Sequence, residues 1–142
     1  MNELSSMFVN GTIEEGPNTI TYNSVIDTYA RHGDVEGACK ILKEMEKDFK
    51  AGNKDAKPDI RTYNTLINGW SKSSDGDAPR QAKKLLDTVV NFYSTGNFNK
   101  APNTVTYNSV IDTFARHGDI EGACNVLEEM ENDFKSGNKD AR

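Results

Sequence analysis

The chain has 142 residues, of which 35% are hydrophobic and 27% are charged, and its net charge at pH 7 is −5. No apolar run approaches the roughly 20 residues of a membrane span, so no membrane contact is predicted. Cys39 and Cys124 are too few for a disulfide-built secreted domain. Neither has another cysteine or a histidine at metal-ligand spacing, so we predict no metal site and no cofactor.

The sequence repeats itself. Residues 17–57 recur at 102–142 with a constant offset of 85, and only nine of the 41 positions differ. A diverged copy begins at Pro58, where residues 58–67 echo residues 17–26. Spacings of 41 and 44 residues are typical of solenoids, in which neighbouring units share one core. We therefore predict repeats at 17–57, 58–101 and 102–142, and a functional surface that recurs once per repeat.

Residues 1–16 continue the same pattern upstream. An aromatic residue nine places and a glycine six places before each repeat's proline also occur before Pro17, as Phe8 and Gly11. This spacing predicts that residues 1–16 are the C-terminal part of a preceding repeat and that the chain is a fragment of a longer array. A short native protein that begins within the pattern is the alternative.

Each repeat is predicted to contain two helices. In the first repeat, the first helix should run from residue 19 to 32, with Asn18 or Thr19 as N-cap and Gly33 in a left-handed turn. Asp34 should cap the second helix. Apolar residues at i, i+3, i+4 and i+7 give each helix one buried stripe. These stripes are Tyr22, Val25, Ile26 and Tyr29; Tyr63, Leu66, Ile67 and Trp70; Tyr107, Val110, Ile111 and Phe114; Ala38, Ile41, Leu42, Met45 and Phe49; Ala82, Leu85, Leu86, Val89 and Tyr93; Ala123, Val126, Leu127, Met130 and Phe134. The predicted fold is all-α, a right-handed α-solenoid of stacked helix-turn-helix repeats.

A second set of residues lies on the opposite face of each first helix, within about 60° of one another. The set comprises Ile20, Asn23, Asp27 and Arg31; Arg61, Asn64, Asn68 and Lys72; Val105, Asn108, Asp112 and Arg116. If the first helices are parallel, these residues form rows along one groove. The first halves of the repeats sum to a charge of +1 and the rest of the chain to −6, so the acidity belongs to the outer helices.

This arrangement suits single-stranded nucleic acid. An asparagine side chain carries a donor and an acceptor for a base edge. An aliphatic or guanidinium group packs on base faces, and a lysine or arginine attracts phosphate. The alternative is local: an asparagine near a helix start can cap it, and an arginine near its end complements the helix dipole. The residues alone leave both interpretations open.

The segments that begin at Pro17, Pro58 and Pro102 each contain Thr-Tyr-Asn, at 21–23, 62–64 and 106–108, followed by an apolar pair. They closely resemble the first helix of pentatricopeptide repeats. Residues 30–38, followed by Glu44-Met45, resemble the family's turn and second helix. The likeness extends over essentially the whole chain. Its repeats are longer than the family's usual ones, with the extra residues around the end of the second helix.

The resemblance implies binding of single-stranded RNA, one base per repeat. It assigns base selection to the asparagine one turn into the first helix together with the residue after the next repeat's proline. Those pairs are Asn23 with Asp59, which favours uracil, and Asn64 with Asn103, which favours pyrimidines, often cytosine. Asn108 and Asn18 belong to pairs whose other members lie outside the chain. The expected target is 5′-U-(C/U)-(C/U)-3′, with the N-terminus of the protein toward the 5′ end.

The resemblance also implies two further roles. The residues at the base-sandwiching position are Ile20, Arg61 and Val105, and those at the basic position near phosphate are Arg31, Lys72 and Arg116. An organelle address, mitochondrion or plastid, follows from the resemblance only.

A helical scaffold that binds a peptide or protein in the concave groove is the alternative to RNA binding. No enzyme is predicted, because His32 and His117 lie beside glycine in equivalent turns and Asp27 has no partner carboxylate placed in sequence. The acidic outer helices are predicted to offer a surface to protein partners, and the chain is predicted to be a monomer.

Overall fold

The structure, a computed structural model, describes residues 16–98 and 100–136. Within these ranges all regular structure is helical. The helices are α1 (Thr19–Arg31), α2 (Val35–Lys50), α3 (Ile60–Ser71), α4 (Ala78–Ser94), α5 (Thr104–Arg116) and α6 (Ile120–Lys135), with a short 3-10 helix at Lys54–Ala56. The all-helical fold and the pairing of two helices per repeat are confirmed. The predicted remnant at 1–16 lies outside the described residues except for Gly16, and the exact repeat boundaries stay a prediction.

The three first helices begin in the same way. The N-cap side chain accepts a hydrogen bond from the backbone N–H of the threonine three residues later, and the threonine hydroxyl accepts one from the N-cap N–H. This capping box satisfies two backbone donors that a helix start leaves unpaired. The pairs are Asn18 with Thr21, Asp59 with Thr62, and Asn103 with Thr106. Asn18, rather than Thr19, is therefore the N-cap of α1.

A tight turn joins the two helices of a repeat. Gly33 has φ of 81°, a left-handed conformation that glycine adopts without steric cost. Asp34 then caps α2 by accepting the N–H of Gly37 at 2.9 Å. A Cβ atom on Gly37 would come within 2.8 Å of the ring of Tyr29, so this glycine lets α1 and α2 pack closely.

The hydrophobic core is continuous from repeat to repeat. One cluster combines residues of the first two repeats: Tyr22, Ile26, Ala38, Ile41, Leu42, Met45, Ala56, Tyr63, Leu66, Val89 and Phe98. A second cluster combines Val35 with residues of the second and third repeats: Ile67, Trp70, Ala78, Ala82, Leu86, Tyr107, Val110 and Val126. Since each cluster draws on adjacent repeats, no repeat buries its apolar face alone.

Two residues of the predicted stripes are exposed, contrary to expectation. Tyr93 is 42% exposed, whereas Phe98 is buried, with its ring 5.9 Å from that of Tyr63 and 5.1 Å from that of Phe92. Leu127 is 47% exposed because no described helix covers that face of α6. The equivalent Leu42 of α2 is only 7% exposed, since the second repeat packs on it.

The extra residues of the first repeat fold over the start of α1. After α2, the chain turns at Gly52 and forms the 3-10 helix. The Asn53 side-chain amide donates to the carbonyl oxygen of Pro17 at 2.7 Å. The Thr19 hydroxyl lies 2.6 Å from the carbonyl oxygen of Lys57. The added length therefore ties the connection between two repeats to the N-terminal end of α1.

The helices form two layers. The first helices α1, α3 and α5 pack side by side, and each second helix packs behind its own first helix. In the described part of the chain, no helix is both long and apolar enough to cross a membrane. This layering places the polar faces of α1, α3 and α5 along one surface.

Candidate nucleic-acid interface

A groove of about 400 Å³ runs between α1 and α3. Five predicted site residues line it together: Ile20, Asn23, Arg31, Asp59 and Arg61. A neighbouring hollow of about 480 Å³ shares Ile20, Asp59 and Arg61 with it and adds Lys57 and Lys100. Residues of the first two predicted rows thus line one groove between α1 and α3.

Asn23 and Asp59 meet across the boundary between the first two repeats. The Asn23 Nδ2 group donates to Asp59 Oδ1 at 3.2 Å. Because a carboxylate only accepts, the Asn23 atom that faces it must be the amide nitrogen. Asn23 is half-buried and Asp59 is exposed, so both side chains reach the groove.

A third residue, not predicted from the sequence, joins Asn23 and Asp59. The Thr62 hydroxyl lies 2.6 Å from Asn23 Oδ1 and 3.0 Å from Asp59 Oδ1, and Thr62 is fully buried. The threonine of each Thr-Tyr-Asn core was the signal that could have revealed it. The capping box alone accounts for a threonine at this position, so its contact with another repeat was not predicted.

The second pair meets through the equivalent hydroxyl. The Thr106 hydroxyl lies 2.7 Å from Asn64 Oδ1 and 3.1 Å from Asn103 Oδ1. Asn103 also caps α5 by accepting the Thr106 N–H at 3.1 Å. Asn103 therefore both caps a helix and lies in the groove. Its role as a cap does not exclude a contact with a ligand in the groove.

The remaining two asparagines lie at the ends of the described array. Asn108 is exposed on α5. Asn18 is exposed at the start of α1, where its side chain accepts the Thr21 N–H at 2.9 Å. Asn23 and Asn64 each form a side-chain hydrogen bond to the following repeat. Among the described residues, Asn108 and Asn18 form no such bond to another repeat.

The three predicted sandwiching residues are exposed, and two of them are aliphatic. Ile20 is 75% exposed and Val105 is 62% exposed, although both are large aliphatic side chains on the groove face. Val105 lines a further hollow of about 420 Å³ with Asn103 and Lys100. Arg61 takes the same position in the second repeat and is exposed. These three side chains are available for contact with a flat ligand.

The predicted phosphate-contacting residues differ in their neighbours. Arg31 Nε lies 2.9 Å from Asp27 Oδ2, and Arg116 Nε lies 2.7 Å from Asp112 Oδ2. Lys72 is exposed at the C-terminal cap of α3, and an amide, Asn68, stands where the other two repeats have the aspartate. Exposed ion pairs of this kind contribute little to stability, so an arginine can exchange its partner for a phosphate.

The histidines lie at helix ends. The Nδ1 atoms of His32 and His117 each lie 2.8 Å from a backbone oxygen one turn earlier, that of Thr28 and Thr113 respectively. Within residues 16–98 and 100–136, no three histidine, cysteine, aspartate or glutamate side chains form a metal-ligand cluster.

Stacked helical hairpins with a polar groove on the first helices define an α-solenoid repeat protein. Two family models match the chain, the "PPR repeat family" over residues 17–72 and the "PPR repeat" over residues 98–131. Together they cover more than half of it. The chain belongs to the pentatricopeptide repeat family, whose members generally bind RNA and are generally not enzymes.

Relatives from Arabidopsis thaliana carry the same family name. One pentatricopeptide repeat-containing protein, named mitochondrial, is 34% identical over 54% of this chain and 14% of its own length. Another is 39% identical over 39% of this chain and 9% of its own length. A third, also named mitochondrial, is 29% identical over 89% of this chain and 16% of its own length. The chain thus spans less than a fifth of the length of each of these relatives.

Proposed function

We propose that this chain binds single-stranded RNA along the groove of α1, α3 and α5, with one base per repeat and the order 5′-U-(C/U)-(C/U)-3′. The observation that carries the proposal is the contact of Asn23 with Asp59 across a repeat boundary. Two side chains from consecutive repeats form one polar unit facing the groove, and that unit recurs 41 to 44 residues later with Asn64 and Asn103.

The Asn23–Asp59 unit fits uracil. The Nδ2 group of Asn23 is a hydrogen-bond donor, and the carboxylate of Asp59 is an acceptor. The pairing edge of uracil offers an N–H beside a carbonyl oxygen, which is the complementary arrangement. Cytosine presents an acceptor nitrogen at the same place, which a carboxylate repels.

The Asn64–Asn103 unit is less selective. Asn103 replaces a carboxylate by an amide, which carries both a donor and an acceptor. Either pyrimidine can then be accommodated, and the preference over purines is what the resemblance to the family implies. We assign the third pyrimidine to Asn108, and we place Asn18 in the unit before Asn23.

Binding energy comes from base faces and phosphates. Ile20, Arg61 and Val105 would pack on bases, which is worth about 1–3 kcal/mol per base. Arg31, Lys72 and Arg116 would pair with phosphates. Three bases give several kcal/mol at most, so after ordering costs we expect an affinity no tighter than about micromolar for this chain.

The test is fluorescence anisotropy with labelled hexanucleotides of uridine, cytidine and adenosine, at about 50 mM and about 200 mM salt. The wild type should prefer both pyrimidine oligomers. Asn64→Ala should reduce that preference, because one of the three amides that meet a base is gone. Arg31→Ala should weaken binding to all three oligomers and reduce the salt dependence. Asn91→Ala, an exposed asparagine on the outer helix α4, is the matched control and should bind as the wild type does.

Equal binding of all three oligomers, unchanged in Asn64→Ala, would contradict base reading. Absence of RNA binding at low salt and at millimolar protein would favour the alternative, a scaffold for a peptide or protein, for which binding should depend little on salt.

We also propose that the chain is a monomer and part of a longer array in a mitochondrion or plastid. Two of the relatives are named mitochondrial, which supports the organelle address. The acidic outer helices are proposed as a surface for protein partners. On that surface the Lys83 amine lies 2.5 Å from Asp87 and 3.1 Å from Glu129, so its charge is balanced locally.

A further inference from the structure

Two buried threonine hydroxyls lie behind the base-reading asparagines. We propose that Thr62 and Thr106 are positioning residues that fix the orientation of the Asn23 and Asn64 side-chain amides, so that each presents its Nδ2 donor to the base. The inference rests on the proposed function and deepens it, because it assigns base selection to a third residue in each unit, one that never reaches the RNA.

The hydroxyl proton of Thr62 has a defined destination. The backbone N–H of Asp59 donates to Thr62 Oγ1 at 3.1 Å, so one lone pair is occupied. A hydroxyl has a single proton to donate. Asn23 Oδ1 at 2.6 Å is a closer acceptor than Asp59 Oδ1 at 3.0 Å. The proton therefore goes to Asn23, whose carbonyl is held toward the protein interior.

The amide nitrogen is then directed away from the threonine. In the first unit, Asp59 reinforces this orientation, since a flipped Asn23 would place its oxygen against a carboxylate. In the second unit, the described contact that orients Asn64 is the one with Thr106 at 2.7 Å. Loss of the hydroxyl should therefore affect Asn64 more strongly than Asn23.

A fixed amide discriminates and a freely rotating one does not. An asparagine that can turn over by 180° presents either a donor or an acceptor to the same base atom. Both pyrimidines and purines then find a partner. The hydroxyl thus converts an adaptable amide into a donor of fixed position, and its burial keeps water from replacing it.

Thr21 provides a matched control within the chain. It forms the same capping box with Asn18 as Thr62 does with Asp59. Among the described residues, its hydroxyl contacts Asn18 and no asparagine of another repeat. Thr21→Val therefore removes the capping role alone, whereas Thr62→Val and Thr106→Val remove capping and amide positioning together.

The experiment measures the ratio of affinities for the uridine and adenosine hexanucleotides. Thr106→Val should lower this ratio by about tenfold, the loss of roughly one hydrogen bond, and Thr62→Val by less. Thr21→Val should leave the ratio unchanged. Thr106→Ser, which keeps the hydroxyl, should restore the wild-type ratio. A purely structural role for Thr106 would weaken binding to both oligomers equally.

Two results would overturn the inference. One is a wild-type affinity ratio that Asn64→Ala lowers and folded Thr106→Val retains. The other is read in the free wild-type protein by NMR, so it depends neither on RNA binding nor on a variant that folds: a Thr106 hydroxyl proton that exchanges with water too rapidly to be observed. If the wild type shows no base preference while this proton is protected, the proposed function fails and the positioning of the amide stands.

Discussion

The two junctions between repeats share one polar arrangement, in which the N-cap residue differs by a single functional group. The first contains Asn23, Thr62 and Asp59, and the second has an asparagine and a threonine with nearly the same separation, 2.7 Å against 2.6 Å. The capping bonds of Asp59 and Asn103 are also equal, at 3.1 Å. The N-cap residue differs: it is the carboxylate Asp59 in the first junction and the amide Asn103 in the second. The geometry of a junction is therefore set by the backbone and the threonine, and the chemistry of the groove by the N-cap residue.

This separation has a physical basis in helix capping. Aspartate and asparagine are almost equally good N-cap residues. A repeat can exchange one for the other at little cost to the helix that follows, even though hydrogen bonding to a base changes completely. The position that must be polar for folding is thus free to vary for recognition.

The largest difference between the junctions should appear in stability. Leu66 is fully buried in the first core, and its counterpart in the second is the smaller, equally buried Val110. Leu66→Ala should lower the free energy of unfolding by about 2–5 kcal/mol through lost transfer energy and a residual cavity. Val110→Ala removes fewer atoms and should cost less. Urea denaturation followed by circular dichroism measures both losses of unfolding free energy. Equal losses would contradict this expectation, because the smaller side chain Val110 would then contribute as much as Leu66.

The next effect is on base preference and tests the comparison directly. Asp59→Asn makes the first junction like the second, so the preference for the uridine over the cytidine hexanucleotide should fall by about tenfold, an energy of the order of one charged hydrogen bond. Asn103→Asp should raise the same preference. Both substitutions keep an N-cap residue, so the melting temperature should change little. A large change in melting temperature without a change in base preference would assign the position to folding alone.

Much of the fold follows from local pattern. The 3.6-residue spacing of apolar residues predicted six helices and their buried faces, and Asn18, Asp34 and Gly33 marked helix ends because capping depends on neighbours in sequence. The rows of the groove followed from the same helical geometry. The pairing of Asn23 with Asp59 came from resemblance to a family, and the structure places the two in contact.

What escaped prediction depends on contacts between distant residues. Thr62 lies 39 residues from Asn23. Its recurrence in each Thr-Tyr-Asn core is accounted for by the capping of its own helix, so the sequence alone did not assign its hydroxyl to the preceding repeat as well. Tyr93 was predicted to be buried by register with Phe49. In the structure Phe98, which stands where the first repeat has Lys54, is buried in the first core cluster, and Tyr93 remains exposed.

The smallest effect concerns the tyrosine of each junction at high pH. Burial and the nearby Asp133 carboxylate raise the pKa of Tyr107, and burial and Glu46 raise the pKa of Tyr63. The Tyr107 hydroxyl lies 3.0 Å from Asp133 of its own repeat, whereas the Tyr63 hydroxyl lies 3.4 Å from Glu46 of the preceding one.

A raised pKa in the folded protein means that the folded state holds the phenol proton more tightly than the unfolded state does. The resulting stability is fully present below the unfolded value of about 10 and is lost as the pH rises above it. Tyr107→Phe and Tyr63→Phe should each make the decline in unfolding free energy between about pH 9.5 and 11 less steep, measured by urea denaturation. Tyr93→Phe, at an exposed position, is the control. Because Tyr63 contacts the preceding repeat, Tyr63→Phe alone should also reduce the cooperativity between the first two repeats, and equal cooperativity in both variants would remove this distinction between the junctions.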